Sequence, residues 1–556
     1  MKRCPQCGRE YDLTMSFCLD DGSELLYGPA SSSRSESPAS GVPTGASPSG
    51  LPSAGGQLDE PPTAIIATAG SKPRTETFLS SDRPVESTFN SVAVLPFAHL
   101  SSDPDDEYFC DGLAEELTNA LGKLDDVKVV GRTSAFAFRG KDLGVSQIAR
   151  ILGVDHVVEG SVRKYGERMR ITVQLVNAAD RFQVWSEKYD AEMRDLFDVQ
   201  DKITLSVVSA LKNKFQQSSA SLGEKAAELI EEFRHHASSV EAYQIYLRGR
   251  FYFNKLTPEG FYLALDCFRK ALEIDPGFAA AHAGIADAHV FSAELGPVPP
   301  REAMPKAKQA ALDALAIDPS NAEAHATLAF ILQEFDFDFA GSEVEYRKAI
   351  ELNPNSPVAH QYYGALLSQL SRPAEAEREF RRANELDPLS PSSNWVYPLG
   401  LFFAGRYDES LKRTRRLLEL DPNFPAAHLV ASFSYQMKED HDSFVDSYTR
   451  FLDLCGVGEL ASIGRRSFES GGWIAFLRAM TSPEARPLIT SYITAVFYEA
   501  LGEHEPALAM LEDSLEKREG HMVMLDVDPR FAALRDDGRF RDILRRVGFP
   551  DKQDHK

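Results

Sequence analysis

Glu273-Ile274-Asp275-Pro276, Ala316-Ile317-Asp318-Pro319, Glu351-Leu352-Asn353-Pro354, Glu385-Leu386-Asp387-Pro388 and Glu419-Leu420-Asp421-Pro422 are five copies of one short string. Their prolines stand 43, 35, 34 and 34 residues apart. A period near 34 is the length of one helical hairpin, and its repetition marks a stacked array of such hairpins. Arrays of this kind make extended binding surfaces rather than reaction centres, so the expectation is a scaffold.

The interior of each repeat agrees. Ala376, Phe380 and Ala383 stand 12, 8 and 5 residues before Pro388, and Ala264, Phe268 and Ala271 hold the same offsets from Pro276. Residues three and four apart share a helix face, so small residues let neighbouring helices approach while the aromatic fills the gap. The proline closes the second helix because it has no amide hydrogen to donate. Gly364 falls in a first helix and Gly405 in a hairpin turn. The pattern resembles the tetratricopeptide repeat over about residues 240–450. The second repeat is longer by nine residues, and GPVPPREAMP at 296–305 predicts an elongated turn there. Residues 427–454 read as a further helix pair and 487–516 as a last one, with VDPRFAALRDDGRFRDILRRVGFP as a terminal cap.

The amino terminus carries different chemistry. Cys4 and Cys7 form a C-x-x-C knuckle followed by Gly8, and Cys18 and Asp21 repeat the spacing before Gly22. This resembles a small zinc ribbon over about 25 residues, with Cys4, Cys7, Cys18 and Asp21 as the expected ligands of one structural zinc. Asp20 is a neighbouring alternative ligand, and a vestigial or redox C-x-x-C stays open. Residues 28–87 are rich in Ser, Gly, Pro and Ala and read as a disordered tether.

Between tether and repeats, residues 88–215 read as β-α-β-α-β-β-β-α. The expected elements are a strand at Ser91–Phe97, a helix at 107–121 and a second strand along VKVVGRTSAFAF. A helix capped by Gly153 follows, then three strands turning at Tyr165-Gly166 and Ala179-Asp180, and a helix at 196–215. Residues VAVLPF, Asp111-Gly112, Arg132-Thr133-Ser134, Phe138-Arg139-Gly140, Glu159-Gly160-Ser161-Val162-Arg163 and Trp185-Ser186-Glu187 resemble the TolB amino-terminal-like, or FlgO-like, domain. That resemblance implies a bacterial source and defines no activity. Proteins of this architecture are sometimes labelled adenylate cyclases, a label not carried over here.

Catalytic signatures are missing: no Walker loop, G-x-G-x-x-G, H-E-x-x-H or G-x-S-x-G occurs. The acidic run Asp103, Asp105, Asp106, Glu107, Asp111 and Glu115 reads as a capped helix start. Arg132, Arg139 and Arg163 form an anion site or pair with those acids. Cys110 reads as a core thiol and Trp185 as a packing anchor. His282, His325, His360 and His428 recur at one repeat position and read as seam residues rather than a metal ladder. A net charge of −23 argues against a nucleic-acid partner. No run is long and apolar enough to span a bilayer, and the amino terminus is not a secretory signal, so the expected location is cytoplasmic.

The expected fold is therefore multidomain: a zinc ribbon at 1–27, linker 28–87, an α/β mixed-sheet domain at 88–215 and a connecting helix at 216–240. An all-α superhelical solenoid follows, with tetratricopeptide repeats at 241–454 and degenerate repeats and capping helices at 455–556. The expected function is a non-catalytic protein–protein scaffold. Alternatives are a nucleotide-handling, cyclase-associated subunit acting through the α/β domain, or a zinc-ribbon transcription or signalling regulator. Oligomeric state is not legible.

Overall fold

Helical hairpins that keep small and aromatic residues in phase bury them best by stacking, each hairpin on the next. The computed structural model of the chain has this arrangement. It describes residues 2–3, 10–11, 26–27, 90–100, 107–124, 127–141, 143–214, 238–295 and 298–549. Two compact units emerge, Met1–Asp59 and Glu60–Lys556.

In the first unit, β1 (Lys2–Arg3) lies between β2 (Glu10–Tyr11) and β3 (Leu26–Tyr27) and is antiparallel to both. Lys2 is opposite Tyr11 on one side and Tyr27 on the other. The expected ligands Cys4, Cys7, Cys18 and Asp21 lie outside the described residues, as does the 28–87 linker.

The second unit opens with a mixed sheet. Its strands are β4 (Asn90–Val94), β5 (Ala98–His99), β6 (Val127–Val129), β7 (His156–Tyr165), β8 (Arg168–Asn177) and β9 (Gln183–Glu192), in the order β6-β4-β7-β8-β9, with β5 beside β7. β4 runs parallel to β6 and β7, and β7, β8 and β9 form an antiparallel meander. Side chains alternate across a strand. Val92 and Val94 therefore join Leu113, Leu117, Ile203 and Val207 beneath α1 (Glu107–Gly122) and α4 (Leu196–Lys214). Ala93 points the other way, into a core with Ile148 and Leu152 of α3 (Val145–Leu152). Gly153 ends α3 in the left-handed conformation, as its position predicted. The expected strand along 127–138 is corrected: it stops at Val129, and Arg132–Phe136 forms a one-turn helix, α2. A contact from the repeats, described below, holds that turn.

The hairpins follow: α5 (Val240–Phe253) with α6 (Pro258–Ile274), α7 (Ala279–Glu294) with α8 (Pro300–Ile317), α9 (Ala322–Ile331) with α10 (Phe339–Leu352), and α11 (Pro357–Gln369) with α12 (Pro373–Leu386). The fifth first helix is broken into α13 (Pro391–Asn394) and α14 (Val396–Phe403), paired with α15 (Tyr407–Leu420). Next come α16 (Pro425–Met437) with α17 (His441–Leu454), then α18 (Gly458–Met480), kinked at Gly472. α19 (Ser491–Ala500) pairs with α20 (His504–Lys517), and α21 (Gly538–Val547) is last. The elongated turn expected at 296–305 is corrected: α8 already begins at Pro300, so most of that insertion lengthens a helix. Proline is tolerated in a first helical turn, where its missing donor is not needed.

Four of the five seams repeat the same hydrogen bonds. The aspartate or asparagine before the proline accepts the amide two residues on: Gly277 to Asp275 at 3.2 Å, Ser320 to Asp318 at 2.9 Å, Asn355 to Asn353 at 3.1 Å and Asn423 to Asp421 at 2.9 Å. The histidine ladder has the same explanation. Nε2 of His282, His325, His360 and His428 lies 3.3, 3.0, 3.0 and 3.0 Å from the carbonyl of Pro276, Pro319, Pro354 and Pro422. These rings close turns, as the seam reading held.

Glycine is required where the repeat aromatic comes closest. A Cβ at Gly364 would stand 2.7 Å from the Phe380 ring, and one at Gly400 would stand 2.5 Å from its other edge. Gly364→Ala overpacks this core and should lower unfolding stability by about 1–3 kcal/mol. Urea denaturation should show it as a lower midpoint, with a smaller effect for Gly405→Ala, where a Cβ meets nothing and only the positive φ of 73° is strained.

Candidate interaction groove

Each first helix shows one stripe toward the inside of the superhelix. In α5 it is Tyr243, Tyr246, Arg250 and Asn254, spaced three, four and four apart. The equivalent stripe carries Asp287 and Phe291 in α7, Glu323 and Phe330 in α9, and Val358, Gln361 and Gln369 in α11. Arg250 donates to Glu323, two repeats on, at 3.0 Å, so these faces converge.

The first part of the stripe is covered by α1. A Cβ at Gly112 would lie 2.6 Å from Leu247, so only glycine permits this approach. Glu115 is buried and accepts from Arg250 Nη2 at 2.6 Å and Asn254 Nδ2 at 3.1 Å. Arg132 lies 2.9 Å from its other oxygen. The cationic neighbours hold the Glu115 carboxyl below its ordinary range against the opposing effect of burial. Arg248 caps the Tyr108 ring at 5.0 Å.

Two seams grip the sheet. Asn355 Nδ2 donates to the carbonyls of Gly122, Leu124 and Val127 at 2.9, 3.2 and 2.9 Å, and its Oδ1 accepts the Val129 amide at 3.2 Å. Gly131 donates to the Leu386 carbonyl at 2.7 Å. Asp387 breaks the seam pattern: its Oδ1 accepts from Ser134 N at 2.8 Å and Oγ at 2.5 Å. It thus caps the third residue of α2, whose own N-cap, Gly131, has no side chain. This is why residues 132–136 turn helical. In this repeat Asn394 stands in the histidine's place, donating to Asp387 O at 2.7 Å and Ser390 O at 2.8 Å.

The far end of the stripe is also filled by the chain itself. The buried Arg530 guanidinium sits 3.9 Å from the Phe433 ring centroid and pairs with buried Asp528 at 2.5 Å. Arg518 donates to the Phe335 carbonyl at 2.9 Å, and Phe549 stacks on Phe339. Beside these fillings lie Glu116 of α1 and Asp287 and Glu294 of α7, half-buried carboxyls that burial pushes up to about 7. Glu115 and Glu323 add to the rise at Glu116, and Glu323 to that at Asp287.

Of the residues singled out in the sequence, Arg139 pairs with Glu107 and Asp111, and Arg132 with Glu115 and Asp111. Those two arginines are thus occupied by the acids, while Arg163 is exposed apart from them. Asp103, Asp105 and Asp106 lie outside the described residues. Cys110 is buried, and Trp185 packs half-buried against the sheet core. Among the described residues no group of three or more His, Cys, Asp or Glu side chains is placed to hold a metal ion. No described helix is long and apolar enough to cross a membrane. Glu115, Arg250, Asn355 and Asp387 were missed as a set. The one legible hint was the lapse of the histidine at position 394.

Residues 87–206 match the family described as HilA/YgeH-like transcriptional regulator, second domain, and residues 345–378 match the tetratricopeptide repeat. A putative adenylate cyclase 3 of Rhizobium meliloti is 36% identical over 250 residues, which are 44% of this chain and 40% of that protein. The transcriptional regulator HilA of Salmonella typhimurium is 27% identical over 127 residues, 23% of each chain. The chain thus spans two fifths or less of these relatives' lengths. Among solved structures, YrrB, a repeat protein with an unusual peptide-binding site, aligns with 36% of this chain and 97% of its own at 21% identity and TM-score 0.25. The pilus biogenesis factor PilW covers 48% and 98% at 16% identity and TM-score 0.29. Residues 345–378 thus carry a tetratricopeptide repeat, and the hairpins stacked on either side share its helix-pair form.

Asn355→Ala strands several buried backbone groups and should cost about 2–4 kcal/mol in denaturant titration. The raised carboxyls give a pH dependence of defined sign. The folded state keeps protons on Glu116, Asp287 and Glu294 that the unfolded chain has already released, so their contribution falls as pH rises from about 4.5 to about 7. Thermal midpoints should drop over that window, and Glu116→Gln should flatten the drop.

Proposed function

We propose that this protein is a non-catalytic scaffold of bacterial signalling or assembly that captures protein partners on its repeat array. The supporting observation is the array itself: at least six stacked hairpins whose first helices share one stripe, on which Val358 of the fourth repeat is exposed. Preformed helices give such a surface affinity through a few anchors without an ordering cost. In repeats two and three the stripe carries Asp287 and Glu323, which favours a partner segment bearing Lys or Arg.

The amino-terminal unit is read as a zinc ribbon, with Cys4, Cys7 and Cys18 as thiolate ligands and Asp21 as the fourth. A Cys3Asp donor set is chemically sound for tetrahedral zinc, and the three short antiparallel strands around these positions suit a ribbon. The metal would be structural, since so small a unit cannot bury enough surface alone. The α/β part is read as TolB amino-terminal-like, or FlgO-like, and the location as cytoplasmic.

A second reading has its own observation. The relative named a putative adenylate cyclase favours a nucleotide-handling role, and the HilA match favours a regulator. Against the first, Asp111 and Glu115 are engaged by arginines rather than free for a metal ion. The net charge of −23 weighs against direct nucleic-acid contact.

Two measurements test these readings. The full-length chain, immobilised, should retain a saturable partner that Val358→Arg, at an exposed position of the stripe, releases; magnesium-dependent conversion of ATP to a cyclic nucleotide would favour the enzyme reading. Metal analysis of protein purified without chelator should find one zinc per chain, lost in Cys4→Ser with Cys7→Ser. A metal-free intact chain would overturn the ribbon.

A further inference from the structure

Resting on the scaffold reading, we propose that the first-repeat stripe is a docking site for an amphipathic helix and that α1 occupies it in cis, as an autoinhibitory helix. The chemistry of the expected partner helix is read from the occupant. Tyr108, Gly112 and Glu115 are spaced four and three apart and share one face of α1, while Phe109, Leu113 and Leu117 belong to the sheet core. That first face meets Arg248, Leu247, and Arg250 with Asn254, respectively. A partner helix would therefore carry an aromatic residue, a glycine four positions later and a carboxylate three after that. This is helix-in-groove recognition with a buried charge setting the register.

Beside the apolar packing of Tyr243 and Leu247 with Leu113 and Leu117, the occupant is held to the array by replaceable polar contacts. Glu115 is anchored by an ion pair and an amide. The other two grips are the Asn355 amide on the β6 edge and the Asp387 carboxylate on α2. Buried ionic contacts fix geometry while adding little net strength over an apolar packing. Their groups can return to water or to an equivalent partner. An incoming helix with the same face can replace α1 group for group, at the cost of competing with a tethered rival. Its apparent affinity is reduced by the fraction of chains in which α1 is seated.

The probe is a fluorescein-labelled peptide of residues 107–122 with Cys110→Ser, titrated by anisotropy into the full-length chain. Unmodified protein should bind it weakly. Asn355→Ala with Asp387→Ala, which removes two grips but leaves the stripe intact, should bind it roughly tenfold tighter or more. A peptide carrying Glu115→Lys should bind neither. Should the double variant lose its helical circular dichroism, Gly112→Leu in the full-length chain serves instead, because it wedges α1 away from Leu247 and touches neither seam. Small-angle scattering reports undocking as a larger radius of gyration. An expanded variant that fails to bind the peptide overturns the proposal. So does a radius unchanged in both variants, which would make the seat a fixed core contact. If partner capture by the full-length chain succeeds while the peptide fails, this inference falls alone. If the stripe variant also leaves capture unchanged, the array reading falls with it.

Discussion

The free edge of β6 is the constraint on which the second unit turns. A three-residue strand at the margin of a sheet leaves backbone donors and acceptors that must find partners. Here the partners come from helical repeats more than two hundred residues away. Asn355 takes the Val127 carbonyl and the Val129 amide, and the Leu386 carbonyl takes the Gly131 amide. An asparagine side chain is an amide like the backbone, so it can continue a ladder where no strand exists. Once that edge is sealed, the positions of α1 and α2 against the array follow from short connections.

The apolar cores of the two parts are continuous in the seated arrangement. Leu389 and Leu420 of the repeats pack with Ile148 and Leu152 of the sheet layer, and Tyr243 and Leu247 pack with Leu113 and Leu117. A solenoid needs its first apolar face covered. The α/β part does this for repeat one, and the residues after α20 do it at the other end. Both coverings extend onto the inward stripe rather than stopping at the ends. A fragment holding only the repeats would expose Tyr243, Leu247, Leu389 and Leu420, so partner studies belong to the whole chain.

What could be read from the chain was whatever repeats or alternates. The five proline-closed strings located the hairpins, the offsets of Ala376, Phe380 and Ala383 located the packing face, and alternation in β4 and β7 located the sheet. The histidines were placed correctly at the seams because their spacing followed the repeat. What escaped was long-range. Nothing local makes Arg132–Phe136 a helix; Gly131 cannot cap it, and the carboxylate that does belongs to Asp387. Likewise the prolines of 296–305 predict a turn, whereas Pro299 and Pro300 stand at a helix start, where proline is tolerated, and Pro305 lies inside α8. Residue type does not single out Asn355 and Asp387. Asn423 and Asp421 carry the same side chains two seams and one seam on, and there the Asp421 carboxylate accepts the Asn423 amide within its own turn.

The electrostatics of the stripe separate two kinds of acid in this chain. Outer carboxylates are held by arginines at repeat spacing: Arg372 joins Glu343 and Glu375, and Arg406, 34 residues on, joins Glu377 and Glu409. Hydrogen bonds from Arg406 hold Glu377 down to about 2. Inner carboxylates are treated in the opposite way. Glu294 has no cation to offset its burial, and at Glu116 and Asp287 burial and neighbouring acids outweigh Arg250. The fold could have buried leucines there, as it does between hairpins, and would have been more stable for it. Retaining acids along this face supplies charge that an incoming cationic group can neutralise. Arg250 and Arg530 already play that part in cis at the two ends of the stripe. From the first repeat Arg250 reaches Glu323 of the third, which leaves Asp287 and Glu294 as acids whose burial is not fully offset.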